Sequence, residues 1–243
     1  MEYAVIGVII GFVMGLTGSG GALVAIPLFI SLLGFNLKDA SIYSLLVVSL
    51  ASFINFIDQR KFVDYKLAGF IFLGSIIGSF ALKPVKLVSS DLIISLLLAL
   101  ISLYALYSVW KKKNITLEVL NKFNLFKTLF LGFILGGLTT MTGLGGGVLL
   151  MPIFISFFRM NELRAVGTSL ITIALSSLFS LAIQFETIKT APSIIDFVLL
   201  MTGIISSTVI LRILVKKISV NKISLTRKII FSLVVCYAFL KIF

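Results

Sequence analysis

Four glycines fall within five positions in Thr142-Gly143-Leu144-Gly145-Gly146-Gly147, inside an apolar segment that reads as helix on both sides, from Leu125 to Thr140 and from Val148 to Phe158. Glycine is about 1 kcal/mol worse than alanine in a helix, so this run ends one helix before the next begins. In a bilayer the freed N–H and C=O groups still need partners, so such a break is tolerated only when buried in protein or lining a cavity. The N–H groups from Gly146 to Leu149 carry the positive end of the second half-helix, an arrangement suited to an anion. A second copy, Thr17-Gly18-Ser19-Gly20-Gly21-Ala22, lies near the start of the chain; Pro27 follows it as Pro152 follows the other.

The two copies belong to a longer repeat. At a constant offset of 125 residues, 15 of the 44 positions from Leu16–Gln59 are identical in Met141–Gln184 without a gap. Shared apolar composition inflates such a count, but not at Gly18/Gly143, Pro27/Pro152, Asn36/Asn161 or Gln59/Gln184. Beyond Gln184 the alignment fades.

Hydrophobic residues make up 59% of the chain, charged residues 12%, and mean hydropathy is +1.19. A soluble domain with so few charges could not cover its surface, so the chain reads as a multi-pass protein in contact with a lipid bilayer. The net charge of +12 lies in short loops between apolar runs, which argues for loops facing anionic lipid and against a nucleic-acid partner. There is no histidine, and the single cysteine, Cys236, lies in the last apolar segment as a small filler. Neither a metal site nor a cofactor is expected, and with no histidine and no Ser-Lys or paired-Asp site in a span, neither is an enzyme. Met1-Glu2-Tyr3 lacks the basic start of a signal peptide, and the first apolar segment is expected to stay in the mature chain.

Eight apolar segments follow: Tyr3–Leu33 (broken), Asn36–Ile57, Tyr65–Leu82 ending at Lys83-Pro84, Asp91–Trp110, Leu125–Phe158 (broken), Asn161–Gln184, Ile194–Val215 and Leu225–Ile242. A straight helix over the first would span about 46 Å, too long for a ~30 Å core, and two crossings would need more residues. A hairpin that dips to mid-depth and returns fits. With both broken segments re-entrant, five Lys+Arg face one side and sixteen the other, accounting for all 21; with every segment crossing, the split is 10 to 11. The positive-inside rule favours the first arrangement, with both termini outside. Three crossings per half is odd, so the halves are inverted about the membrane plane. The expected fold is therefore an all-α polytopic membrane protein of two inverted repeats, each a re-entrant broken helix pair plus three transmembrane helices. Residues 1–110 form the first repeat, 111–124 a basic cytoplasmic linker and 125–243 the second repeat.

The candidate substrate site is the pair of turns: Thr17, Gly18, Ser19, Gly20 and Gly21 from one, Thr142, Gly143, Gly145, Gly146 and Gly147 from the other. A polar stripe on the following helix faces them, Ser41, Ser44, Ser52, Asn55 and Gln59 in one half, Ser169, Ser177, Ser180 and Gln184 in the other. Ser44 and Ser169 are the expected contributors, with Pro27, Pro152, Gln59 and Gln184 as structural marks of the motif. The spans read as nearly free of ionisable residues, with no carboxylate, lysine or arginine at depth, which suits neutral donors holding a small anion and leaves no proton relay.

The motif Thr-Gly-x-Gly-Gly-x-x-x-x-x-Pro, present twice and followed each time by an Asn-initiated helix, resembles the sulfite exporter TauE/SafE family of membrane transporters over nearly the whole chain. The resemblance implies a carrier in the cytoplasmic membrane moving sulfur-containing or organic anions such as sulfite or sulfonates, with Gly18, Gly20, Gly21, Pro27, Gly143, Gly145, Gly146, Gly147 and Pro152 as its site residues. Ala22 stands where the second copy has Gly147. A passive anion channel and an uptake permease remain open as alternatives, as does a homo-oligomer.

Overall fold

The structure is a computed structural model that describes residues 2–17, 21–110, 124–187, 193–215, 229, 232–233 and 235–240. Among these are no strand, two single-turn helices and nine α-helices: α1 (Glu2–Thr17), α2 (Gly21–Leu33), α3 (Leu37–Gln59), α4 (Tyr65–Val88), α5 (Asp91–Trp110), α6 (Leu125–Thr142), α7 (Gly147–Ser156), α8 (Glu162–Gln184) and α9 (Ile194–Val215). The expected linker, apart from Asn124, most of the final segment and Gly18-Ser19-Gly20 lie outside the described residues.

Helix starts follow local chemistry. Asn36 and Asn161 cap α3 and α8 alike, each side chain accepting an N–H three residues on, from Asp39 and Arg164, both at 2.8 Å. Asp64 caps α4 by accepting the N–H of Leu67, and Asn124 caps α6.

The repeat is legible residue by residue. Gly34 and Arg159, 125 positions apart, both take the left-handed conformation, at φ 66° and 51°. Beside them Phe35 N–H donates to Phe29 O at 3.2 Å, and Met160 N–H donates to Phe154 O at 3.1 Å. Single-turn helices follow α3 at Arg60–Phe62 and α8 at Phe185–Thr187.

Close glycine packing sets the helix directions. A Cβ on Gly74 or Gly78 would overlap backbone carbonyls of Leu129 or Phe133, so α6 runs parallel to α4. A Cβ on Gly7 would meet the Leu200 carbonyl and one on Gly203 the Ala4 carbonyl, so α1 runs parallel to α9. Gly78 and Gly203 are themselves 125 apart, and thus the correspondence continues past Gln184, where the sequence alignment stops. At the centre α3 and α8 are antiparallel: Gln184 reaches the start of α3 through Lys86 and Ser41, while the backbone of Gln59 lies against Gly167 of α8.

These pairings give the bundle two ends. The starts of α4 and α8 meet at one, where Asp64 N–H donates to Thr168 Oγ1 at 3.0 Å. The α6–α7 hairpin begins and ends there. The starts of α1, α3 and α9 meet at the other, around Tyr3, Phe35, Tyr43 and Phe197, and the α1–α2 segment begins and ends there. Among the described residues, five helices are long and apolar enough to cross a membrane: Leu37–Phe62, Tyr65–Val88, Asp91–Ser108, Leu125–Thr142 and Glu162–Thr187. One of the five is α6, an arm of a broken segment: its 18 residues rise about 27 Å, most of a ~30 Å core, where a dip to mid-depth was expected.

One boundary needs correction. Lys83-Pro84 does not end the third segment; α4 runs on to Val88. Pro84 lies inside the helix, where it forfeits a bond to the carbonyl of Phe80, and Ser89 N–H closes the following turn on Val85 O at 2.9 Å. The extra turn carries Lys86 inward.

Candidate functional site

The second glycine turn is enclosed between α3 and α8. Gly143, Gly145 and Gly146 all have positive φ, at 76°, 67° and 69°, a conformation that side chains resist. Gly143 N–H closes α6 on Thr139 O at 2.9 Å, and Gly146 O accepts from Leu149 and Leu150 to open α7. Thr142 Oγ1 donates to Leu138 O and accepts Leu144 N–H, pinning the turn from within. Neighbours approach closely: a Cβ on Gly143 would overlap the backbone of Ser41, and one on Gly145 would stand 2.6 Å from Val48 and 2.7 Å from Ser177 Oγ. Gly147 is the first residue of α7, and Pro152 lies inside it as Pro27 lies inside α2. Thr17 ends α1 and Gly21 opens α2, on either side of the first turn, whose Gly18, Ser19 and Gly20 lie outside the described residues.

The serines of the polar stripe divide by where their hydroxyls go. The single hydroxyl proton of Ser44 lies between Ser41 O and Gly143 O, both 2.7 Å from its oxygen, so it ties the turn to α3. Ser169 donates back to Val166 O, the usual fate of serine in a membrane helix. Ser52 and Ser177, by contrast, bury their oxygens without a hydrogen-bond partner. Ser177 faces Gly145. Among the stripe residues it is the one whose donor remains available at the turn.

Other polar contacts escaped the sequence reading. Ser180 Oγ stands 3.0 Å from Ser79 Oγ and 3.2 Å from Thr140 Oγ1, joining α4, α6 and α8 behind the turn. Two ionisable side chains expected outside the protein interior are inside it. Lys86 is 3% exposed; its Nζ donates to Ser41 Oγ at 2.7 Å and to Gln184 Oε1 at 2.8 Å. Asp39, 2% exposed, accepts from Asn36 Nδ2 at 3.0 Å while its own N–H is held by Asn36 Oδ1. The expectation of no lysine and no carboxylate at depth is therefore corrected at these two positions. Ser75, Ser79 and Lys86 share one face of α4 at helical spacing, and that pattern could have flagged Lys86 had the helix been carried past Pro84.

The two matched glutamines differ. Gln184 accepts from Lys86 and donates from Nε2 to Ser180 O at 2.9 Å. Gln59, at the opposite end, buries an Oε1 without a partner. At 125 positions beyond Lys86 stands Leu211, so the second half carries no counterpart of the lysine.

The sulfite exporter TauE/SafE family model matches residues 3–242. Two curated relatives, each called "Probable membrane transporter protein" and coming from the Temecula1 and 9a5c strains of Xylella fastidiosa, are 29% identical over 178 residues, covering 69% of this chain and 67% of their own length. No solved structure matches.

Proposed function

Because the chain belongs to the sulfite exporter TauE/SafE family and is a multi-pass membrane transporter of that type, we propose that it exports small sulfur-containing or organic anions, such as sulfite or sulfonates, across the cytoplasmic membrane. The observation that carries this reading is the buried turn at Gly143–Gly147, where left-handed backbone opens the ten-residue helix α7 beside the unpartnered hydroxyl of Ser177. Backbone N–H groups and a hydroxyl can hold a compact anion while leaving its charge partly uncompensated, so that release stays feasible. The residue-level site is this turn, with Thr142, Gly143, Gly145, Gly146, Gly147 and Ser177, and by repeat the turn from Thr17 to Gly21.

Alternating access is carried by two halves, residues 1–110 and 125–243, inverted about the membrane plane and joined by the basic linker at 111–124 in the cytoplasm. Support comes from the antiparallel α3 and α8 and from the two glycine hairpins, which start at opposite ends of the bundle. Rocking one half against the other would expose the turns to each side in succession.

Proteoliposomes loaded with sulfite or ethanesulfonate test the reading. Saturable flux, stimulated by the same anion on the far side, is expected. Unsaturable flux without counter-flow would make the protein a channel, and flux of cations or neutral solutes alone would remove the anion assignment.

A further inference from the structure

A cavity of about 410 Å³ lies at one end of the bundle, where the starts of α3 and α5 meet the ends of α4 and α8. The buried Lys86 lines it together with Gln184. Both hydrogen-bond acceptors of the ammonium, Ser41 Oγ and Gln184 Oε1, are neutral. A buried charge that bonds neutral acceptors is costly even with the Asp39 carboxylate acting on it through space, and such a position is kept where something else completes it. Around the walls, Lys38 and Lys83 face Asp39 and Asp91, so with Lys86 the cavity holds three cations against two carboxylates. One of those carboxylates, Asp39, accepts a hydrogen bond from Asn36 and keeps its charge. The first turn of α3 adds the positive end of its dipole.

We infer that this cavity is a second anion site, distinct from the glycine turns, that receives the sulfite or sulfonate headgroup on Lys86 with Gln184 and Ser41 holding the ammonium in place. The inference rests on the anion-transporter reading and adds to it a cationic ligand and a location. Lysine acts as a compact point charge without the two-pronged grip of arginine, which suits a site an anion must leave. The volume exceeds that of a bare oxyanion and leaves room for the carbon chain of a sulfonate or for retained water.

The site also touches the turn. Ser41, which accepts from Lys86, gives its backbone carbonyl to Ser44, and Ser44 in turn donates to Gly143 O. Occupancy at Lys86 thus bears on the turn through two side chains. The repeat does not reproduce the site, because Leu211 replaces the lysine and Gln59 Oε1 has no partner. It therefore marks one end of the path, the end that under the proposed topology faces outward, where an exported anion would leave.

The test is direct binding to the full-length protein in nanodiscs, with sulfite and ethanesulfonate as probes in a buffer whose only other anion is gluconate. Wild type is expected to bind both saturably. Lys86→Met should weaken binding by at least about tenfold, while Lys86→Arg retains most of it. Gln184→Glu, which sets a carboxylate against the ammonium, should remove the same share of binding in a protein that keeps all its cations. Gly146→Val should lose flux and the turn's share of binding, and keep the share that depends on Lys86. If Lys86→Met and Gln184→Glu both bind like wild type, or if wild type transports these anions without measurable binding, the second site is overturned while the transporter reading stands. If wild type neither binds nor transports them, both fall.

Discussion

Ser52 and Ser177 stand 125 residues apart at equivalent positions of α3 and α8, and each buries a hydroxyl oxygen that finds no hydrogen-bond partner. Their neighbours behave otherwise: Ser41, Ser44, Ser49, Ser169 and Ser176 all turn back to a carbonyl three residues earlier. A buried hydroxyl left unpaired lowers stability and persists where something other than the fold uses it. Ser177→Ala should therefore leave the melting temperature equal to or above that of wild type while raising the half-saturating anion concentration about three- to tenfold, the worth of one neutral hydrogen bond. Ser169→Ala, whose hydroxyl is already committed to Val166, should change neither. Equal flux kinetics for Ser177→Ala and Ser169→Ala would remove Ser177 from the site.

The glycine turn separates strain from crowding. At Gly146 a side chain meets little, with Thr139 Oγ1 at 3.1 Å, but φ is +69°. Gly146→Val should insert and fold with a stability loss of about 1–2 kcal/mol and no transport. At Gly143 a Cβ would also overlap the backbone of Ser41, so Gly143→Ala should cost folded yield as well. Gly11→Val, which would press on the Ile204 backbone of α9, should reduce yield by spoiling helix packing. Size-exclusion recovery and flux from the same preparations distinguish the three.

Gly34 and Arg159 test the repeat through the backbone alone. Both are left-handed, but only one is glycine, and a Cβ at Gly34 would touch nothing within 4 Å. Gly34→Ala should thus destabilise by about 1 kcal/mol without altering anion affinity. Thermal unfolding in detergent reads the shift. An unchanged or raised melting temperature would mean that the connection, and not the backbone, governs stability there.

Much of this architecture is legible in the sequence because it depends on residues with few roles. Glycines at 143, 145 and 146 announce a left-handed turn, and Asn36 and Asn161 announce helix starts, since few alternatives suit those backbones. Lys86 was hidden by Pro84, which reads as a helix stop but is carried inside α4, one turn before its end. Asp39 was hidden because acidic residues near a cap normally face water; here its partner is the cap itself. The correspondence of Gly78 with Gly203 was lost because flanking residues diverged, Ser79 becoming Ile204, while the close approach still demands glycine. Where hydroxyls end up, on a carbonyl or on nothing, depends on rotamers that periodicity does not encode.

Topology can be read with single cysteines introduced into a Cys236→Ser background. Position 113, in the linker between the halves, should resist an impermeant thiol reagent in intact cells and react after permeabilisation. A cysteine at position 38, at the opposite end of the bundle, should react from outside. Strong labelling of position 113 in intact cells would defeat the inverted arrangement and with it the outward placement of Lys86.

The last expectation concerns driving force. An inside-negative potential favours outward movement of an anion by about 2.3 kcal/mol per charge per 100 mV. Net flux of a monovalent sulfonate therefore requires no second ion if the carrier moves the charge uncompensated. The charges inside the protein bear on this, because a carrier that returned a proton with each anion would be electroneutral. Lys86 and Asp39 are the buried ionisable groups lining the cavity at the α3 start, and both are held by hydrogen bonds at one end of the bundle, away from the Gly145–Ser177 contact. Uncompensated movement is accordingly expected at the turn. In proteoliposomes with a potassium diffusion potential set by valinomycin, ethanesulfonate efflux should accelerate as the interior is made more negative and slow when the potential is reversed. Flux unaffected by the potential in either direction would show compensated transport, and would require a second ion to cross with each anion.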